Sequence, residues 1–154
     1  MPKIDKANAP KGAGSRYPAP FNEPCKGRTW LRLADAAGLT QFGVNLVRLA
    51  PGVWSSQRHW HTHEDEFAYV LDGEFVLMTD EGEQTLHAGD CAGFKAGDPN
   101  GHCFQNRSNR DALILVVGSR NNEDRGEYPD IDLACAAGRY SGKADFRHKD
   151  GTPY

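Results

Sequence analysis

The chain has 154 residues, of which 38% are hydrophobic and 25% charged, with a net charge of −3 and a pI near 6.0. That length suits one domain built on one sizeable core. No basic stripe is present, which argues against nucleic acid or an anionic membrane as a partner.

Residues 1–24 are mostly Pro, Gly, Ala and Lys, with few large apolar side chains. They read as an N-terminal arm that cannot fold alone but can be tied onto another surface. No apolar leader stretch is visible there, and the longest apolar run, "ALILVV" (Ala112 to Val117), is too short to span a bilayer. A cytoplasmic protein is expected. Residues 25–120 read as the main domain. "TWLRL" and "TQFGVNLVRLAPG" predict strands around a loop at Ala34 to Gly38. In "FAYVLDGEFVLMTDEGEQTLHAGD", branched and aromatic residues are interrupted at Asp72-Gly73 and Glu81-Gly82, both turn signals. "CAGFKAGDPNGHCFQN" mixes glycine loops with short extended pieces, and "ALILVVGSR" predicts the last strong strand. Residues 121–154 are polar again and are expected to pack as an extension on the barrel or on a partner subunit. Within them "DIDLACAAGRY" (Asp130 to Tyr140) predicts one short helix.

Short strands with frequent turns indicate an all-β sandwich or barrel. Nothing alternates strand with a long amphipathic helix, so a parallel α/β sheet is not expected. The four cysteines, Cys25, Cys91, Cys103 and Cys135, form no CxxC pair. They are expected to be reduced, as small buried residues.

"HWHTHEDEF", His59 to Phe67, holds three of the six histidines. A helix would stack His59 on His63, but the zinc-protease pattern HExxH fails, because His63-Glu64 is followed by Asp65-Glu66-Phe67. In an extended chain His59 and His61 point to one face and can both reach one ion. A turn through Thr62 to Asp65 would then return the chain, so that Glu66 adds a carboxylate at the start of the next strand. His102, among glycine turns before an apolar strand, is the best fourth candidate. His63, Glu64 and Asp65 are expected to be a solvated turn, and His87 and His148 to be ordinary surface or packing residues. Trp54, Gln57, Tyr69 and Phe104 are candidates to line a pocket, with core packing the commoner fate of such aromatics.

These residues carry a resemblance to the cupin family. Its first motif is G(X)5HXH(X)3–4E(X)6G. Here Gly52 is followed by six residues, then His59-Trp60-His61, then Glu66 after four more and Gly73 after another six. The second motif, G(X)5PXG(X)2H(X)3N, resembles the run from Gly89 through Gly97 to His102 and Asn106. Lys95 replaces its proline, and the step from Gly97 to His102 is two residues longer. The resemblance covers about Gly43 to Val117. The wider chain, through to the "DGTPY" tail, is similar to small bacterial single-domain cupins, some of which carry a sugar-phosphate isomerase label.

The resemblance implies a small antiparallel jelly-roll β-barrel with one divalent transition metal inside it, held by His59, His61, Glu66 and His102. Three imidazoles and one carboxylate suit Fe, Mn, Zn, Ni, Co or Cu, and the absence of thiolates argues against a closed structural zinc site. It implies a homodimer, which the arm and tail also favour, since each could be ordered across a neighbour. The function expected is a metal-dependent enzyme acting on a small polar molecule of sugar, hydroxy-acid or keto-acid type, whether isomerase, lyase or oxygenase. The alternative is a non-catalytic cupin that binds a small ligand or senses a metabolite. No catalytic acid or base is identifiable.

Overall fold

A computed structural model describes residues 3–142 and 144–154. Among these residues thirteen strands follow one another: β1 (Lys11–Ala13), β2 (Arg28–Arg32), β3 (Phe42–Leu49), β4 (Trp60–His61), β5 (Glu66–Asp72), β6 (Glu74–Thr79), β7 (Gly82–His87), β8 (Cys91–Phe94), β9 (Cys103–Gln105), β10 (Ala112–Ser119), β11 (Gly126–Tyr128), β12 (Leu133–Cys135) and β13 (Phe146–Arg147). The only α-helix among the described residues is α1 (Leu33–Ala36), a single turn between β2 and β3. No helix among them is long and apolar enough to cross a membrane.

One sheet has the order β1-β2-β3-β10-β5-β8, a second β7-β6-β9, and a third β13-β12-β11-β4. Every strand pair is antiparallel. The β5–β6 turn falls at Gly73, with φ +80°, and a Cβ there would lie 2.8 Å from that of Ala112. Only glycine meets both demands. Isolated bridges Trp54–Gln105 and His59–His102 extend the edge of β9 toward β4.

The main core lies between the first two sheets. Strand alternation puts Val47 and Leu49 of β3, Ala68 and Val70 of β5, and Ile114 of β10 against Phe75, Leu77 and Phe104 of the facing layer. Phe75, Val70, Leu49 and Ile114 are fully buried, each worth about 1.5–3 kcal/mol of transfer free energy. A smaller core joins the two chain ends, with Tyr128, Leu133 and Cys135 packed against Tyr17 and Phe21 of the arm and Phe146 of β13.

The helix expected over Asp130–Tyr140 does not form. Leu133 and Cys135 are buried on one side of an extended β12, with Ala134 between them less so. Burial at a period of two, paired with β11, overrides the helix propensity of the alanines. Cys25, Cys103 and Cys135 are buried free thiols, whereas Cys91 is exposed.

Candidate metal centre and its cavity

His59 and His61 lie two residues apart on an extended segment, and their rings meet edge to face with centroids 4.9 Å apart. His102 arrives through the backbone. His59 and His102 exchange both N–H···O bonds, at 3.1 and 2.8 Å, and cross-strand partners in such a pair are immediate neighbours. Their ring centroids are 4.7 Å apart. Glu66 opens β5 and reaches in from the other sheet. Ligand atoms of His59, His61 and Glu66 lie within 4.8 Å of one another. Glu66 Oε1 is 3.3 Å from His102 Nε2, and Glu66 Oε2 is 3.5 Å from His61 Nε2.

The hydrogen bonds behind the rings set their tautomers. His59 Nδ1 lies 3.0 Å from the Gln57 carbonyl oxygen, which can only accept, so Nδ1 carries the proton and Nε2 the lone pair. His61 Nδ1 donates in the same sense to Asp124 Oδ2 at 2.8 Å. This carboxylate–imidazole arrangement is the usual support of a metal-binding histidine. His102 differs: its buried Nδ1 has no hydrogen-bond partner among the described residues. Its ring is instead fixed by Phe94, stacked at 3.6 Å and 8°. The donor chemistry fits one divalent ion, with imidazole nitrogens and a carboxylate converging and no lysine or arginine among the described residues hydrogen-bonded to Glu66.

The protein groups of the cluster balance charge among themselves. Burial, reinforced by the neighbouring His102 and His61, holds His59 well below the usual imidazole range, so it is neutral. Burial also opposes protonation of His61, but Asp124 and Glu66 outweigh it and push its pKa up to about 9, so an ion binding at Nε2 displaces a proton. Burial would raise Glu66, yet His102, His61 and His59 together hold it well below the carboxylate range, and it is ionised.

A second group, His61, Glu64 and Asp124, has metal-like spacing, but its oxygens are occupied. Arg139 pairs with Glu64 and lies 3.2 Å from Asp124 Oδ2. Tyr140 Oη donates to Glu64 Oε2 at 3.0 Å, the Asn121 N–H to Glu64 Oε1 at 2.7 Å, and the His63 N–H to Asp124 Oδ1 at 2.8 Å. A guanidinium already neutralises this group, so it serves as the support behind His61.

The expectation of a fully solvated turn at His63–Asp65 is therefore corrected. His63 and Asp65 are exposed, but Glu64 is only 4% exposed. Buried carboxylates require paired charge, and Arg139 of the C-terminal extension supplies it. Asp124, Arg139 and Tyr140 were not identified from the sequence. They lie about 60 or more residues beyond the histidine cluster, and no spacing motif links them to it.

The cluster opens into a cavity of about 620 Å³, walled by Trp30, Val47, Phe104, Val116 and Tyr128, with His59, His61 and Glu66 on its surface. Of the suggested pocket residues only Phe104 lines it. Gln57 donates to the Phe21 carbonyl, Trp54 bridges to Gln105, and Tyr69 is 39% exposed on the outer face of β5. His87 is exposed, and His148 stacks on Tyr154 and pairs with Asp132.

Antiparallel layers around an interior HXH–Glu–His group define a cupin. The cupin domain family profile matches residues 45–118. A solved structure from Silicibacter pomeroyi, described as a sugar phosphate isomerase from a cupin superfamily, is 48% identical, with a TM-score of 0.93 over 99% of this chain and 96% of that one. The chain belongs to the cupin superfamily. A protein from Acidithiobacillus ferrooxidans, provisionally named for the same activity, is 26% identical, with a TM-score of 0.77 over 92% of this chain and 88% of that one. The polyketide cyclase RemF from Streptomyces resistomycificus shares the fold alone, at 22% identity and a TM-score of 0.60 over 77% of this chain and 79% of that one. No curated protein matches the chain.

Proposed function

We propose that the chain is a metal-dependent enzyme that isomerises a small sugar phosphate or a related hydroxy- or keto-acid. One divalent transition metal is held by His59, His61, Glu66 and His102. The observation that carries this reading is the convergence of those four side chains beside a cavity large enough for a small metabolite. The 48% identical relative's description as a sugar phosphate isomerase favours isomerisation over the other chemistries open to the fold. Fold alone would not choose, since a cyclase shares it.

In this reading His59 and His61 present Nε2, held in place by the Gln57 carbonyl and Asp124. Glu66 adds one negative charge. Trp30, Phe104 and Tyr128 give the cavity an aromatic wall beside the reacting atoms. When bound, a divalent ion supplies Lewis-acid polarisation of a substrate oxygen.

The test compares sugars, sugar phosphates and keto-acids on Fe, Mn and Zn forms, with and without air. Isomerisation should proceed with several divalent ions and without oxygen. Turnover by the Fe form only, with oxygen consumed, would make it an oxygenase. Binding without conversion throughout would make it a non-catalytic binder.

His63 lies outside the proposed ligand set. It is exposed, and its Nδ1 lies 2.8 Å from Thr62 Oγ1. His63→Ala is expected to keep the metal with nearly unchanged affinity. A hundredfold loss would move the ligand pair to His61 and His63.

Assembly as a homodimer is proposed from the outer face of the six-stranded sheet. Phe67, Tyr69 and Leu71 alternate outward along β5, each about 40% exposed, and Phe42 of β3 is similarly exposed. Val117 and Leu115 of β10 lie opposite Phe67 and Tyr69, so the apolar surface continues across strands. A continuous apolar face of this kind marks an interaction surface. Light scattering at micromolar concentration should give about twice the chain mass of 16.9 kDa. A monomer mass would overturn the dimer.

A further inference from the structure

The strands that build the apolar core change character where they line the cavity. On β2, Arg28, Trp30 and Arg32 share the cavity face. Their cross-strand partners on β3 are Leu49, Val47 and Asn45. Arg120, just beyond β10, and Arg16 of the arm, which is exposed and has no side-chain hydrogen bond among the described residues, complete the cationic wall. Arginines on an inward face are costly unless something compensates them, so each one's partner matters. Arg139 is neutralised by Glu64 and Asp124. Arg32 and Arg120 share the single carboxylate of Asp35, at 3.5 and 2.5 Å. Arg28 has no carboxylate partner among the described residues.

Arg28 is nonetheless held firmly. Its Nε donates to the Gly14 carbonyl at 3.1 Å and its Nη1 to the Ser55 carbonyl. Its guanidinium carbon sits 4.7 Å from the centroid of the Trp30 ring. The two carbonyls fix the fork without cancelling its charge, and Nη2 has no protein partner among the described residues. A preorganised, uncompensated guanidinium on a cavity wall suits a bound anion. The cluster at Glu66 lines the same cavity.

We infer that the cavity takes a substrate with an anionic oxygen group, a phosphate ester or a carboxylate, and that Arg28 is the residue that binds it. This rests on the reading of the cavity as the substrate site of a metal-dependent enzyme. It adds an anchor, distinct from the metal ligands, that fixes one end of the molecule while the other meets the ion. Arg28 discriminates charged from neutral substrates, and Trp30 and the two carbonyls position it.

The test titrates glycerol 2-phosphate, glycolate and neutral glycerol into metal-free and metal-loaded full-length protein. At least one anion should bind both forms saturably, and glycerol should not. Arg28→Gln should weaken that binding about 10-fold or more in both forms, as loss of a charge-assisted hydrogen bond does, with metal content unchanged. Tighter binding of the phosphate would assign a phosphate ester, and tighter binding of glycolate a carboxylate. Arg28→Lys, which keeps the charge without the fork, should fall between wild type and Arg28→Gln. Should Arg28→Gln fail to fold, the wild-type Nε–H resonance of Arg28 gives the answer, because it should move with the anion and stay still with glycerol. Equal anion affinity in a folded Arg28→Gln, or a resonance that ignores the anion, overturns the assignment. Stoichiometric metal alongside that result would sink the anchor alone. Arg28-dependent anion binding in a protein that takes up no metal would sink the metal reading alone.

Discussion

His61→Ala is expected to strip the protein of its metal. His61 is the residue on which the site's geometry turns: its Nε2 is 3.5 Å from Glu66, its Nδ1 is 2.8 Å from Asp124, and its ring meets that of His59. Alanine removes one of four ligands and leaves the Glu66 carboxylate with one less compensating group in a buried setting. Affinity should fall by more than about 100-fold, since loss of a supporting residue alone costs about 10–100-fold. Elemental analysis after dialysis should drop from near one ion per chain to a small fraction. Full occupancy in His59→Ala/His61→Ala protein would refute the ligand set.

Asp124→Ala should be the next most damaging change, although Asp124 is not placed among the ligands. Its Oδ2 accepts from His61 Nδ1, fixing the tautomer that frees Nε2, and its Oδ1 accepts the His63 N–H, fixing the turn between the ligand strands. The carboxylate is 1% exposed, so no other group or bulk water readily takes its place. Metal affinity should fall about 10–100-fold, read by competition with a chelator of known affinity. Asp124→Asn can still accept from Nδ1 and should lose less. If Asp124→Ala bound metal like wild type, His61 would have to be oriented by Glu66 alone.

Much of the candidate cluster's geometry was legible in the sequence because it is local or periodic. His59 and His61 share a face at a spacing of two, and Glu66 opens the returning strand. His102 was legible only as a histidine among glycine turns, and its meeting with His59 depends on a backbone bridge across 43 residues. The support behind the site was not legible. Glu64 looked like one charge among several in a turn, and only Arg139, arriving from 75 residues away, makes its burial tolerable. The run around Ala134 misled for a related reason: its alanines favour helix, whereas pairing with Gly126–Tyr128 and burial of Leu133 and Cys135 dictate a strand. Arg28 carried no signal in the sequence, because which face of β2 lines the cavity is set only by the pairing with β3.

Anomalous diffraction from crystals grown with Mn, Co or Zn tests the metal centre most directly. One strong peak per chain is expected, with Nε2 of His59, His61 and His102 and a Glu66 oxygen each about 2.0–2.2 Å away. A peak among His61, Glu64 and Asp124 with Arg139 displaced, or no ordered peak from protein carrying a full equivalent of metal, would contradict it.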